Sequence, residues 1–219
     1  MVGASSVSNG NSELVRAMLK HNNASIHLST KVDSIRRDGN ALMLKTNDNI
    51  SHSCQDVVIA APLEFTSIDF QNLNVNSSIP RRKFVNCTVT IVKAKSVKLS
   101  YFHLDDVKDL PNNIFTTSEA SAPFTVLQLE TDDMDDGYSI WKFFSVKSVP
   151  VRDIFNDISE VHVQQWPYTF PHLEPNVTFQ PIMLAPNVYY LNTMESVASA
   201  MEGSIIAGRN VAMLISPTS

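Results

Sequence analysis

The feature that most constrains this fold is a short apolar strand followed by a helix that carries rows of small residues. Residues 187–191 have a strand pattern, and residues 200–215 are apolar around most of a helical circumference. The small residues recur every four positions in two rows: Ser199, Gly203 and Ala207, then Ala200, Ser204, Gly208 and Ala212. Each internal glycine destabilises a helix by about 1 kcal/mol relative to alanine, so a close neighbour has to explain two of them. The spacing leaves two neighbours open, another backbone or a flat cofactor over the positive helix end.

A capping box predicts where this helix begins. Ser199 and Glu202 stand three residues apart, so the serine hydroxyl can accept a hydrogen bond from the Glu202 amide while the glutamate reaches back. We therefore expect the helix to begin near Ala200. The loop 192–198 then connects the end of the strand to the helix N-terminus.

The first sixty residues predict one short helix and several strands. Residues 12–20 place apolar side chains on one helical face, with Ser12 as the cap. Residues 25–28, 31–36 and 41–46 alternate apolar and polar positions, which predicts a β-meander. Residues 55–62 contain consecutive apolar positions and end in proline, so we expect a strand covered on both faces.

The middle of the chain is more irregular but also rich in strand patterns. Residues 83–94 are β-branched and alternating, and residues 124–130 with 138–146 predict a hairpin. A short helix is predicted within residues 150–163, and residues 166–175 form a Pro-rich aromatic segment.

Composition excludes several function classes. The 219 residues are 43% hydrophobic with a net charge of −5, enough for one large or two small domains but without a basic field. The densest basic spot is residues 81–83, so no nucleic-acid partner is expected. No apolar run reaches the roughly 18 residues of a transmembrane segment. The first residues show no signal peptide.

The motifs of common enzyme classes are also missing. Gly203 and Gly208 have P-loop spacing, but Arg209 and Asn210 follow where lysine and a hydroxyl residue are needed. Neither a Gly-x-Ser-x-Gly elbow nor a Gly-x-Gly-x-x-Gly dinucleotide turn occurs. The six histidines and two cysteines lack ligand spacing, so no metal site is predicted.

One stretch carries a family resemblance. Residues 189–212, with Tyr-Tyr-Leu-Asn-Thr-Met-Glu and then Ala-Ser-Ala-Met-Glu-Gly, resemble the C-terminal flavin segment of the prenylcysteine oxidase family, also known as prenylcysteine or farnesylcysteine lyases. The Met201-Glu202-Gly203 sequence is more distantly similar to flavin amine oxidases. Supporting stretches run in family order: Asn9-Gly10-Asn11, the strand ending in Ala61-Pro62-Leu63, residues 79–83, Trp141-Lys142 with Ser145, and Phe170-Pro171-His172.

The resemblance implies an α+β fold, the C-terminal part of a two-domain FAD-linked amine-oxidase-like architecture. Residues 1–62 would belong to the flavin domain, residues 63–184 to a substrate domain built on an antiparallel sheet, and residues 185–219 to a returning strand and helix of the flavin domain. The chain matches about the C-terminal half of a family member and lacks the glycine-rich FAD turn, so we expect a truncated chain.

The implied activity is FAD-dependent thioether oxidation. Farnesylcysteine or geranylgeranylcysteine would be cleaved to cysteine, a prenyl aldehyde and H₂O₂ during degradation of prenylated proteins. The alternative is a non-catalytic fragment that serves as a lipid-binding or interaction module, and a third possibility is another flavin amine-oxidase relative. Family members are lysosomal or vacuolar glycoproteins, which makes those compartments the expected location.

The resemblance also implies roles for four residues. The amides of Ala200 and Met201 would face the flavin C2 carbonyl, Glu195 would lie near the ribityl or pyrophosphate part, and the Val32 backbone would contact adenine. Glu195 can equally be an ordinary loop carboxylate, and Val32 a buried strand residue. Five aromatic side chains are either lining for a prenyl channel or core packing: Trp141, Phe143, Phe144, Trp166 and Phe170. No residue is predicted to be a general base.

Overall fold

The computed structural model describes residues 7–75, 79–117, 121–132, 135–175 and 178–216. Packing divides the chain into two compact units, Met1–Val57 with Ser67–Val75, and Val58–Thr66 with Asn76–Ser219. The predicted division into flavin-domain and substrate-domain segments at residues 62 and 184 stays a prediction.

Helices and strands alternate irregularly along the chain. The helices are α1 Ser12–His21, α2 Val151–Ile154 and α3 Met201–Ile215. The strands are β1 Val32–Asp38, β2 Ala41–Thr46, β3 Ser51–Cys54, β4 Val57–Ile59, β5 Asp69–Gln71, β6 Phe84–Val97, β7 Asn113–Phe115, β8 Val126–Thr131, β9 Ser139–Ser145, β10 Phe155–Pro171, β11 Met183–Ala185 and β12 Val188–Tyr190. Short 3₁₀ turns lie at Leu63–Phe65, Leu99–Phe102, Val107–Asp109 and Asn192–Ser196.

The first unit is a four-stranded sheet in the order β3-β2-β1-β5. Strands β1, β2 and β3 pair antiparallel, so the predicted strands 31–36 and 41–46 are confirmed, but the third strand of the meander is β3. The predicted strand at residues 25–28 is wrong, because β5 pairs in parallel with the other edge of β1. Leu28 is 82% exposed as a result.

Helix α1 forms where the apolar spacing predicts it. It begins at Ser12, but Asn11 and not Ser12 occupies the cap position, without a side-chain hydrogen bond. None of its residues is buried within the described structure, and Val15 and Met18 on its apolar face are 56% and 50% exposed.

The second unit is built on a five-stranded antiparallel sheet in the order β10-β6-β9-β8-β7. The predicted strand 83–94 and the predicted hairpin are confirmed by β6 and by the β8–β9 pair. The core of this unit packs on the sheet and includes Val92, Leu127, Trp141, Phe143 and Phe155.

Strand β10 is the largest departure from the predictions. The short helix is limited to α2, and the chain then forms a 17-residue strand that pairs with β6 from Phe155–Val97 to Pro171–Phe84. As the edge strand of the sheet, β10 leaves most of its side chains exposed. Its pairing partner β6 therefore stabilises it more than its own burial does.

A three-stranded sheet, β11-β12-β4, precedes the last helix. All three residues of β12 are buried, which confirms the strand predicted at residues 187–191. The expectation that β4 is covered on both faces is wrong. Val57 and Ile59 are 7% and 6% exposed, but Val58, on the opposite face of the strand, is 42% exposed, so one face of β4 is open in the described structure.

Candidate functional site

A cavity of about 140 Å³ lies where β12 turns into the 3₁₀ turn Asn192–Ser196 and meets α3. The turn contributes three lining residues and α3 contributes Ser204 and Ala207. The lining is Ala60, Leu191, Asn192, Met194, Glu195, Ala198, Ser204 and Ala207. The cavity thus falls in the segment that carries the family resemblance.

Helix α3 begins one residue later than predicted, with a different cap. Ala200, in an extended conformation, is the N-cap residue, and the Ser204 amide donates to its carbonyl at 3.1 Å. The expected capping box of Ser199 and Glu202 is wrong, because Ser199 lies one position before the cap and its hydroxyl makes no capping hydrogen bond. Among the described residues, no side chain caps the first-turn amides of α3, and Glu202 is the acidic residue of that turn.

The surroundings of Gly203 show which neighbour approaches the helix. A Cβ at this position would lie 2.7 Å from the Ala198 carbonyl oxygen, so the close neighbour is the backbone of the preceding loop. At Gly208 an added Cβ would meet no described atom within 4 Å. The two glycines thus have different surroundings despite their similar place in the sequence pattern.

A buried arginine, Arg82, lies behind the cavity wall. Its Nε donates to Glu64 Oε1 at 2.9 Å, and its Nη2 donates to Glu64 Oε2 at 3.0 Å and to the Tyr190 hydroxyl at 2.8 Å. Its Nη1 donates to the Asn192 carbonyl at 2.7 Å and lies 3.5 Å from Glu195 Oε2. The guanidinium therefore joins the Leu63–Phe65 turn, β12 and the cavity turn.

The pKa values of Glu64, Arg82 and Tyr190 are all shifted from their ordinary values in this network. Burial raises the pKa of Glu64, but hydrogen bonds from the Arg82 side chain and backbone outweigh burial and lower that pKa to about 2. Burial lowers the pKa of Arg82, and the Glu64 hydrogen bond outweighs it, so the net change is upward. Burial raises the pKa of Tyr190 to about 12. Near neutral pH the pair is ionised and the tyrosine is neutral.

The four residues predicted to contact the cofactor lie in different parts of the structure, and only one of them lines the cavity. Glu195 lines the cavity and accepts a hydrogen bond from Asn192 Nδ2 at 2.9 Å. Ala200 and Met201 lie at the exposed start of α3 and are not among the cavity-lining residues. Val32 is half-buried at the start of β1 in the other compact unit. Their roles towards a flavin stay predictions.

The predicted aromatic side chains separate into core and surface residues. Trp141 and Phe143 are 6% and 0% exposed and belong to the core, as the packing alternative predicted. Phe144 is half-buried on β9. Trp166 and Phe170 lie exposed on β10.

Another set of aromatic rings forms an exposed cluster beside Arg82. The Phe65 ring centre lies 4.8 Å from that of Phe84 and 4.3 Å from that of Tyr168. Phe65 and Tyr168 are 49% and 62% exposed, and Arg82 Cζ lies 5.3 Å from the Phe84 ring centre. We call Phe65, Phe84 and Tyr168 the aromatic cluster. Of its three members, only Tyr168 falls in a segment that the sequence marks as aromatic, residues 166–175.

Comparison with known families settles what kind of chain this is. The family model for prenylcysteine lyase matches residues 1–218. The chain belongs to the prenylcysteine lyase family. Farnesylcysteine lyase of Arabidopsis thaliana is 28% identical over 216 residues, which are 97% of this chain and 42% of the relative. Prenylcysteine oxidase 1 of Homo sapiens is 28% identical over 170 residues, 72% of this chain and 34% of the relative.

The fold of this prenylcysteine lyase family member is that of oxidases of known structure. A putrescine oxidase bound to putrescine superposes with a TM-score of 0.64 at 10% identity, covering 94% of this chain and 53% of the oxidase. A putative protoporphyrinogen oxidase from Exiguobacterium sp. 255-15 gives 0.54 at 12% identity, covering 92% and 51%. The expected α+β amine-oxidase-like fold is confirmed, and the chain spans less than half the length of the curated relatives it matches.

The residues around the cavity fit part of a flavin. The cavity volume of about 140 Å³ is below the roughly 300–1,000 Å³ that encloses a drug-sized ligand, so the cavity is too small to enclose a whole dinucleotide. The buried Asn192 Oδ1 has no hydrogen-bond donor among the described residues, and a ribityl hydroxyl or a ring N–H can supply one.

In the described part of the chain, no helix is long and apolar enough to cross a bilayer.

Proposed function

We propose that this chain takes part in FAD-dependent oxidation of prenylcysteine, which consumes O₂ and water and gives cysteine, a prenyl aldehyde and H₂O₂. The observation that carries the proposal is the cavity at the Asn192–Ser196 turn and α3, in a chain matched along residues 1–218 by the prenylcysteine lyase family. The flavin would lie with one portion in this cavity, next to Glu195 and the uncapped first turn of α3.

When bound, FAD supplies the two-electron oxidation of the carbon next to sulfur and passes the electrons to O₂. The residues of this chain would bind and orient the cofactor and the substrate. The amides at the start of α3, including that of Met201, would stabilise negative charge on the ring, because preorganised N–H dipoles cost no reorganisation. Tyr190 and Arg82 keep their protons at neutral pH, so neither serves as a general base.

The substrate would contact the exposed aromatic cluster through its isoprenoid chain. An apolar prenyl group needs an apolar surface, and the Phe65 and Tyr168 rings offer one. The Arg82 guanidinium behind Phe84 is saturated by hydrogen bonds and presents no unpaired charge to a hydrocarbon. We assign the cluster to farnesylcysteine or geranylgeranylcysteine on this basis.

We also propose a lysosomal or vacuolar location for the chain. The Glu64 carboxylate, with a pKa of about 2, stays ionised at the pH of an acidic compartment. The Glu64–Arg82 pair would therefore stay intact there.

The proposal is tested by absorbance and peroxide release. The full chain is purified, supplied with FAD, separated from free FAD, and examined for the flavin absorbance band near ~450 nm, a property of the cofactor. Peroxide is then measured with farnesylcysteine and with putrescine as the control substrate. Peroxide from farnesylcysteine alone supports the proposal. A colourless protein that binds farnesylcysteine without oxidising it supports the lipid-binding alternative, and oxidation of putrescine alone would assign the chain to amine oxidation.

A further inference from the structure

We infer that Arg82 is a positioning residue for flavin binding, because it sets the conformation of the Asn192–Ser196 turn that forms one wall of the cavity. The flavin part of this inference rests on the proposed function. Arg82 is not among the residues that line this cavity, so it would act through the turn and not through contact with the cofactor.

The guanidinium of Arg82 donates hydrogen bonds from all three of its nitrogens. Nε and Nη2 pair with the two oxygens of Glu64, and Nη2 also donates to the Tyr190 hydroxyl. Nη1 donates to the Asn192 carbonyl at 2.7 Å and also lies 3.5 Å from Glu195 Oε2 and from Ser196 Oγ. A planar fork with all three nitrogens engaged permits one orientation of the group.

Two segments far apart in sequence meet on this one side chain. Glu64 accepts a further hydrogen bond from the Arg82 backbone amide at 3.0 Å, so the acidic side of the network is tied to both the side chain and the backbone of Arg82. The other side is the cavity turn, whose Asn192 and Glu195 both line the cavity and both contact the guanidinium. Arg82 is therefore one of the contacts that hold these lining groups in place, beside the Thr193 hydroxyl, which donates to the Gln180 carbonyl.

Lysine cannot reproduce this arrangement. An ammonium group is a point charge with three donors on a flexible stem, so it can pair with Glu64 but cannot at the same time span to the Asn192 carbonyl and Tyr190. Arg82→Lys thus keeps the buried charge pair while releasing the turn. This makes it the informative variant, with Arg82→Gln as the more severe change.

The test combines hydrogen exchange with flavin titration on the full chain. Amide exchange is followed at Met194, Val197 and Ala198, whose N–H groups are hydrogen-bonded within the turn. FAD affinity is measured by quenching of flavin fluorescence, and folding by circular dichroism. The matched control is Arg36→Gln, which removes an exposed arginine paired with Asp38 at 3.2 Å in the other unit.

We expect Arg82→Lys to fold, to speed exchange of the turn amides at least tenfold, and to raise the Kd for FAD at least tenfold, with Arg36→Gln unchanged. Unchanged exchange at the turn in Arg82→Lys would overturn the inference. Faster exchange with unaltered FAD affinity would overturn the link to the flavin and leave the proposed function intact. If the wild-type chain binds no FAD, the proposed function and the flavin part both fail, and exchange alone decides whether Arg82 positions the turn.

Discussion

The Arg82 guanidinium and the Glu64 carboxylate face each other in a two-point contact, Nε to Oε1 at 2.9 Å and Nη2 to Oε2 at 3.0 Å. Their side chains are only 5% and 7% exposed. A buried ion pair contributes little relative to a hydrophobic replacement, but the removal of one partner leaves an uncompensated buried charge. The pair therefore makes the fold sensitive to single changes at either residue.

Glu64→Gln should lower the free energy of unfolding by up to about 3–5 kcal/mol, because it leaves the buried Arg82 charge with only the longer Glu195 contact at 3.5 Å. Urea unfolding measures the change. The control is Glu13→Gln, which removes the exposed partner of Arg16 and should change the free energy by at most about 1 kcal/mol. Equal effects of the two substitutions would contradict a buried, coupled pair.

The stabilising effect of Glu64 should also depend on pH in one direction. The folded-state pKa of about 2 lies below the ordinary value of 4.5, so the stabilisation is fully present above pH 4.5 and is lost as the pH falls through about 2. The difference in unfolding free energy between the wild-type chain and Glu64→Gln should stay constant from pH 7 to 5. It should then shrink towards pH 2. If the difference already falls between pH 7 and 5, the pH dependence comes from another titrating group and not from Glu64.

Local patterns predicted the elements near the cavity, whereas the polar network left no readable signal. The strand and helix around residues 187–215 follow from periodicity, which is a property of neighbouring residues. In the sequence, Arg82 stands out only as part of a basic run and of the family-like stretch 79–83, since its partners Glu64 and Asn192 lie 18 and 110 positions away. Contacts at such separations depend on the folded chain and cannot be deduced from spacing.

The errors in the predictions have equally physical causes. Strand β10 alternates at Val161 and Val163, but polar side chains and prolines weakened the signal, and its pairing with β6 overrides local preference. The predicted capping box failed by a single position, because Ala200 takes the cap conformation that the sequence assigned to Ser199. Helix boundaries are set by the geometry of the incoming loop, here by the approach of the Ala198 carbonyl to Gly203.

Gly203 and Gly208 form a matched pair for substitution within α3. Gly203→Ala should lower the unfolding free energy by about 1–3 kcal/mol, since its Cβ would lie 2.7 Å from a backbone oxygen that cannot move cheaply. Gly208→Ala should raise it by about 0.5–1 kcal/mol, because open space surrounds the site within the described structure and alanine favours the helix. Urea unfolding of both variants checks the opposite signs, and a loss of stability in both would contradict the described packing.

The aromatic cluster gives the last prediction, which concerns substrate binding. Tyr168→Ala removes a ring that is 62% exposed and lies 4.3 Å from the Phe65 ring centre, so it should leave the core intact. If the cluster contacts the isoprenoid chain, the Kd for farnesylcysteine should rise about tenfold, equivalent to about 1.4 kcal/mol, as measured by calorimetry.

The matched control is Phe115→Ala, which removes a 74% exposed ring from β7 and should leave the Kd unchanged. Binding of S-methylcysteine separates the two ends of the ligand, because it lacks the chain that the rings would contact. The Tyr168→Ala change should therefore leave the affinity for S-methylcysteine unaltered. An equal loss for both ligands would show that Tyr168 shapes the site as a whole, and no loss for farnesylcysteine would remove the aromatic cluster from the substrate path.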